Sequence, residues 1–138
     1  MFGFLASLAI MAAAVTTVSA EQHTINLVNN CGFGTPTLIL NGGIVSTGGS
    51  WTHGGPINGA IAYLQTGGCG FNGENCLMVE TTLAGGFSST DLTLIPPHAF
   101  SVTTGFGYWG GCDGAGADCT GPSCGTAFHQ PSDTFVQV

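Results

Sequence analysis

The chain has 138 residues, no lysine and no arginine, and seven acids against four histidines, for a formal charge of −7. Without Lys or Arg it cannot neutralise phosphates and release their counterions, which excludes the ordinary nucleic-acid binders, and it has no basic cluster for anionic membranes. Salt bridges cannot hold such a fold together, and the charge favours neutral or cationic ligands over anionic surfaces.

The first segment, MFGFLASLAIMAAAVTTVSA, is a continuous apolar run ending in small residues. Val18-Ser19-Ala20 fits the small-x-small pattern of a signal-peptide cleavage site. The positive n-region is reduced to the Met1 amine. An uncleaved anchor is the rival reading, but no basic stop-transfer residues follow and no second apolar run is long enough to span a bilayer, so no membrane insertion is expected. Residues 1–20 are therefore read as a leader and residues 21–138 as one secreted domain. That domain keeps every acid and all six cysteines. Export to an oxidising compartment makes the cysteines a disulfide framework.

Strand-like runs follow in order between glycine turns. His23–Asn29 alternates around Ile25 and Leu27, and 37–40 (TLIL) follows Pro36. Then come 60–66 (AIAYLQT), 77–83 (LMVETTL), 91–95 (DLTLI), 99–104 (AFSVTT) and 133–138 (DTFVQV). They are rich in β-branched and aromatic residues. The pairs Gly42-Gly43, Gly48-Gly49, Gly67-Gly68, Gly85-Gly86 and Gly110-Gly111 mark reversals where positive φ is needed. No stretch after the leader has a helical period, so no crossover helix is available for a parallel sheet. The expected class is all-β, an antiparallel β-sandwich stapled by disulfides, with no large second domain. Residues 105–125 read as a stapled loop.

Cys69 and Cys76 enclose GFNGEN, whose Asn72-Gly73 is a turn former, and a local bridge is expected between them. Cys112, Cys119 and Cys124 crowd the late loop. Cys119 to Cys124 is the preferred bridge there, with Cys112 to Cys124 as its competitor; Cys31 has no local partner. A zinc set of Cys112, Cys119, Cys124 and His129 has looser spacing than the usual paired knuckles, and disulfides are preferred to it. Asp113 and Asp118 do not make a calcium loop, so no metal and no cofactor is expected. The string from Gly105 to Gly110 formally reads GxGxxG but is followed by Gly111-Cys112-Asp113, not by a helix, and is discarded as a dinucleotide fingerprint.

Several short motifs occur in a telling order: Asn29-Asn30-Cys31, Gly49-Ser50-Trp51, a strand running into Cys69, Thr81-Thr82-Leu83-Ala84, and Ala99-Phe100-Ser101-Val102. This ordered set resembles the thaumatin-like proteins. Ala127-Phe128 followed by 133–138 is similar to the family's late strand region. The chain looks like a small, fungal-type secreted form that lacks the disulfide-rich second domain, as in some cereal and fungal proteins, and that stops early at its C-terminus. If it does, Cys31 and Cys112 pair with cysteines beyond Val138; if it is complete, they pair with each other.

The resemblance implies an antiparallel sandwich, secretion, and an acidic groove for β-1,3-glucan-type polysaccharide. The family's charged groove is largely lost here. The strand from Ile61 to Thr66 offers no Arg, the position of the TTLAE-like Glu falls on Gly85, and only Asp91 sits near an expected acid. Glu80 and Asp91 lie on adjacent strand-like runs and are the one pair of carboxylates suited to glycoside hydrolysis, which needs a separation of about 5–5.5 Å or about 6.5–9.5 Å. Tyr108 and Trp109 are flat aromatics suited to stacking on sugars, while Trp51 reads as core. The expectation is a monomeric, secreted, defence-related or antifungal protein that binds extracellular β-glucan without cleaving it, through Glu80, Asp91, Tyr108 and Trp109. The alternatives are a weak endo-β-1,3-glucanase using Glu80 and Asp91, and a structural extracellular or cell-surface protein.

Overall fold

The computed structural model describes residues 20–135. The leader read over residues 1–20 lies, apart from Ala20, outside them, as do residues 136–138. Ten strands follow one another: β1 (Gln22–Leu27), β2 (Thr35–Leu40), β3 (Gly43–Ser46), β4 (Gly49–Gly54), β5 (Ile57–Gln65), β6 (Met78–Ala84), β7 (Phe87–Thr93), β8 (Thr104–Gly107), β9 (Gly116–Cys119) and β10 (Ala127–Phe128). No helix occurs among the described residues. The main sheet has six strands in the order β10-β7-β6-β5-β2-β3, and two two-stranded ribbons, β1-β4 and β8-β9, accompany it.

Register organises the sheet. Leu38 faces Ala62, Ala62 faces Val79, Val79 faces Leu92, and Leu92 faces Ala127. This row crosses five strands on one face, because side chains alternate with a period of two. Both ribbons pack on that inner face. Ile25, Leu27 and Trp51 close over the buried Leu38, Leu40, Ile57 and Ala60, whereas Phe106, Ala117 and Cys119 close over Leu77, Leu92, Leu94 and Ala127. Trp51 is thus core, as expected, although it stays half-buried. The adjacent row on the outer face runs Ile39, Ile61, Glu80, Asp91. One end of that face is covered by the loop that the Cys69–Cys76 bridge closes. There Tyr63 donates its hydroxyl to the Phe71 carbonyl at 2.7 Å, and His98 Nδ1 meets the Gly73 carbonyl at 2.9 Å.

The all-β expectation holds, with corrections in detail. β10 runs parallel to β7, although no crossover helix exists. Residues between β7 and β10, including the β8-β9 ribbon, make the long connection that a parallel pair needs. The stretch read as a stapled loop over 105–125 contains β9 and most of β8. A side chain at Gly105 would run into the Asp118 carboxylate and the Ala117 carbonyl, and one at Gly116 into the Phe106 carbonyl. Glycines that look like loop residues are what let these two strands approach. The run expected over 99–104 is not a strand; pairing begins only at Thr104. Residues 133–135 are not a strand either, and the rest of that run lies outside the described residues.

Cys69–Cys76 and Cys119–Cys124 are the disulfides. Cys31 and Cys112 are free and exposed, so they are not bonded to each other. Cys119 is fully buried in the core under the β8-β9 ribbon. Replacing Cys119 and Cys124 together by alanine is therefore expected to lower the unfolding free energy by about 2–4 kcal/mol. The exposed Cys31→Ser change is expected to stay within about 0.5 kcal/mol. Urea unfolding of the two variants checks both values.

Candidate binding groove and an acidic pair on the opposite face

A chain without Lys or Arg must satisfy its carboxylates otherwise, and three of the seven take backbone N–H groups. Glu74 accepts the Asn72 N–H at 2.9 Å, Asp113 accepts that of Gly110 at 3.0 Å, and Asp133 accepts those of His129 at 2.7 Å and Gln130 at 3.1 Å. Its own backbone N–H first, and then that of Asn72, hold the Glu74 carboxyl below its ordinary range, and the His129 N–H does the same for Asp133. Glu21 instead takes His23 Nε2 at 2.7 Å.

Glu80 and Asp91 are not clamped in this way. They are direct cross-strand partners on β6 and β7, on the outer face. Such partners have Cβ atoms about 4.5–5.5 Å apart. Glu80 is exposed and Asp91 half-buried. Burial, and then the neighbouring Glu80 charge, push Asp91 up to about 6. The structure thus brings the two predicted acids together and sets their environments apart. Neither lines the groove described next.

The cavity lies on the inner face, between the ribbons. One half, of about 760 Å³, is walled by residues 22–27 and 105–112, with Leu38, Ala62, Val79, Thr81, Leu83 and Thr90 beneath. The other half, of about 660 Å³, is walled by residues 26–31 and 102–107, over Ala62, Leu64 and Val79. The halves share Asn26, Leu27, Ala62, Val79, Gly105, Phe106 and Gly107, so they form one groove.

Tyr108 and Trp109 belong to this groove and not to the acidic pair, which corrects the single contact set expected from the sequence. Tyr108 donates its hydroxyl to Thr90 Oγ1 at 2.7 Å, and Thr90 shares a 2.6 Å bond with Thr81 Oγ1. Thr90 alternates with Asp91, so Tyr108 is fixed to the face opposite the acids. Burial raises the Tyr108 phenol, with the Thr90 bond opposing and the nearby Cys112 adding to the shift. Anchored in this way, Tyr108 carries the adjoining Trp109 at the groove mouth, where it is 64% exposed. Phe87, at the start of β7, lines the same half and is 59% exposed. Sequence reading missed Phe87. Its apolar side chain after Gly85-Gly86 was the available signal; alternation along β7 sets it on the same face as Asp91, at the strand end that borders the groove.

The metal alternatives find no support in the geometry. Cys119 and Cys124 are spent on each other, and no three His, Cys, Asp or Glu side chains are grouped to hold an ion among the described residues.

The sign of the Asp91 shift gives a test. Its folded value lies above the ordinary 3.8, so between about pH 4 and about pH 6 the folded chain retains a proton that the unfolded chain releases. This group therefore costs stability as pH rises through that window, and the cost persists above it. Asp91→Asn is expected to stabilise the protein near pH 7.5 and to change it little near pH 4. Urea unfolding at both values reads this, and an equal effect at both would refute the assigned cause.

No family model matches the chain, and no solved structure does. The chain is similar to Thaumatin-like pathogenesis-related protein 4 of Avena sativa, with 27% identity over 148 residues that take in 87% of this chain and 82% of that protein. The similarity runs over most of the chain and supports the thaumatin-like relationship to which the ordered motifs point.

Proposed function

We propose that this chain is a secreted, defence-related thaumatin-like protein that binds cell-wall polysaccharide of the β-glucan class without cleaving it, in the inner groove. The observation that carries the binding reading is the groove mouth, where Trp109 is 64% exposed and is held in place by Tyr108, whose hydroxyl is bonded to the buried Thr90. Aromatic faces stack on the C–H faces of sugars. Charge supports the same reading. His23, Tyr108 and Cys112 are the titratable side chains along the first half, Asp118, Tyr63 and Cys31 along the second. A neutral ligand enters the first half without desolvating a carboxylate. The name of the oat relative supports a role in defence, and two disulfides suit an oxidising extracellular setting.

Hydrolysis is the second reading, and the raised Asp91 beside an exposed Glu80 is what favours it. Two neighbouring carboxyls, one of them raised, are the arrangement a glycosidase requires. Against it stands the absence of either acid from the groove.

Retention on insoluble β-1,3-glucan tests the proposal. Trp109→Ala is expected to weaken retention roughly tenfold, as loss of an exposed aromatic anchor does, whereas the double change Glu80→Gln and Asp91→Asn leaves it unchanged. Absence of retention by the unaltered protein refutes binding. Sugar release that persists through purification and disappears in the double variant establishes the enzyme instead.

A further inference from the structure

We propose that the mature protein binds copper(II) at its amino terminus, through the Glu21 amine, the backbone nitrogens of Gln22 and His23, and His23 Nδ1. The inference rests on the secreted reading above and on one feature of it. Cleavage after Val18-Ser19-Ala20 makes Glu21 the first residue and His23 the third. From the third place, and from no other, an imidazole Nδ1 closes a run of fused chelate rings with the amine and the two intervening amides. The product is a square plane of nitrogens, the geometry that selects Cu(II) or Ni(II). Zn(II) takes a tetrahedron instead. Such a site uses a single side chain. It does not need three ligating side chains together, a grouping that does not occur among the described residues.

The structure prepares His23 for this role. Its Nε2 meets Glu21 Oε1 at 2.7 Å. A carboxylate only accepts, so Nε2 carries the proton and the neutral ring keeps its lone pair on Nδ1. A carboxylate on the far nitrogen of a ligating imidazole orients the ring and raises its basicity. The backbone is equally well placed. Ala20 and Gln22 are exposed, and Glu21 and His23 are half-buried. β1 pairs only with β4, so among the described residues its other edge is open. The Glu21 carbonyl accepts the Gly55 N–H at 2.7 Å, and Gln22 stands opposite Gly54. Bonded and non-bonded pairs alternate along an antiparallel ladder, so the Gln22 N–H turns to the open edge and the His23 N–H to His53. Copper therefore displaces one ladder bond, at the very end of the ribbon, and the pairs from Thr24 to Leu27 remain. The two amide protons, and one from the ammonium form of the amine, pass to water while the metal stays Cu(II). A charge of −7 without Lys or Arg favours the approach of a cation.

The protein secreted from the full chain tests this in two steps. Amino-terminal sequencing is expected to begin at Glu21 with a free amine. Copper(II) titration against glycine as the competing chelator is then expected to show one tight site per chain, with nitrogen hyperfine structure in its electron paramagnetic resonance spectrum. His23→Gln is expected to lose more affinity than the roughly 10–100-fold that changes around a metal's ligands cost, and Glu21→Ala, which keeps the amine, to fall within that range. One alanine added before Glu21, confirmed by the same sequencing, leaves every side chain in place but moves His23 to the fourth position. It is expected to abolish the tight site. Retention of tight copper by the extended chain overturns the proposal, and its loss in His53→Gln then assigns the metal to the facing His23 and His53 side chains. Absence of tight copper on a chain that begins at Glu21 overturns the proposal and leaves secretion intact. A blocked terminus, or one at another residue, removes the site in the same way, whereas a retained leader removes the secreted reading itself.

Discussion

The row of side chains from Leu38 through Ala62, Val79 and Leu92 to Ala127 is the constraint on which the rest of the molecule depends. It fixes the register of the main sheet, since a slip of one residue would turn every apolar member to the outside. The same register determines two other things. It makes the small Ala62 and Val79 the floor shared by both halves of the groove. It also sets Glu80 opposite Asp91 one row away, on the other face. Floor and acidic pair are thus products of one alternation, and neither can be moved without the other.

The absence of Lys and Arg is resolved locally and not globally. Carboxylates close turns by accepting backbone N–H groups within a few residues, as Glu74, Asp113 and Asp133 do. Bonds of an ionised acceptor to N–H groups are stronger than neutral ones, so these acids help fix the loops where a salt bridge would add only about 0–1 kcal/mol. Glu80 and Asp91 have no such donors. Burial, and then the neighbouring Glu80 charge, raise Asp91.

Local features were legible in the sequence, and non-local ones were not. The Cys69–Cys76 and Cys119–Cys124 bridges follow from short spacings around turn residues, and the Glu80–Asp91 juxtaposition follows from neighbouring strand-like runs joined by Gly85-Gly86. β3, β8 and β9 were hidden because glycine-rich segments read as loops, and only a close partner strand reveals why Gly105 and Gly116 must lack side chains. The groove was hidden for another reason. It depends on which faces of β1 and β8 turn inward, and β1 pairs with β4 across some twenty intervening residues. The sequence placed Tyr108 and Trp109 among the candidate contacts but could not say that they stand across the sheet from the acids.

That separation weighs on the proposed reading, binding without cleavage, more than the proton affinity of Asp91 does. Layers stacked on a sheet lie about 10 Å apart, and the backbone of the sheet itself stands between its two faces. A general acid must come within hydrogen-bond reach of the glycosidic oxygen, about 2.6–3.2 Å, directly or through one water. A sugar seated against Trp109 and Tyr108 over Thr90 is on the inner side of β7, whereas the Asp91 carboxyl projects from the outer side of the same strand. No side-chain rotation carries a carboxylate through its own sheet. A ligand that used the acids would have to lie on the outer face, away from the groove that the two ribbons wall. The raised Asp91 is accounted for by burial beside a like charge and needs no catalytic role to explain it.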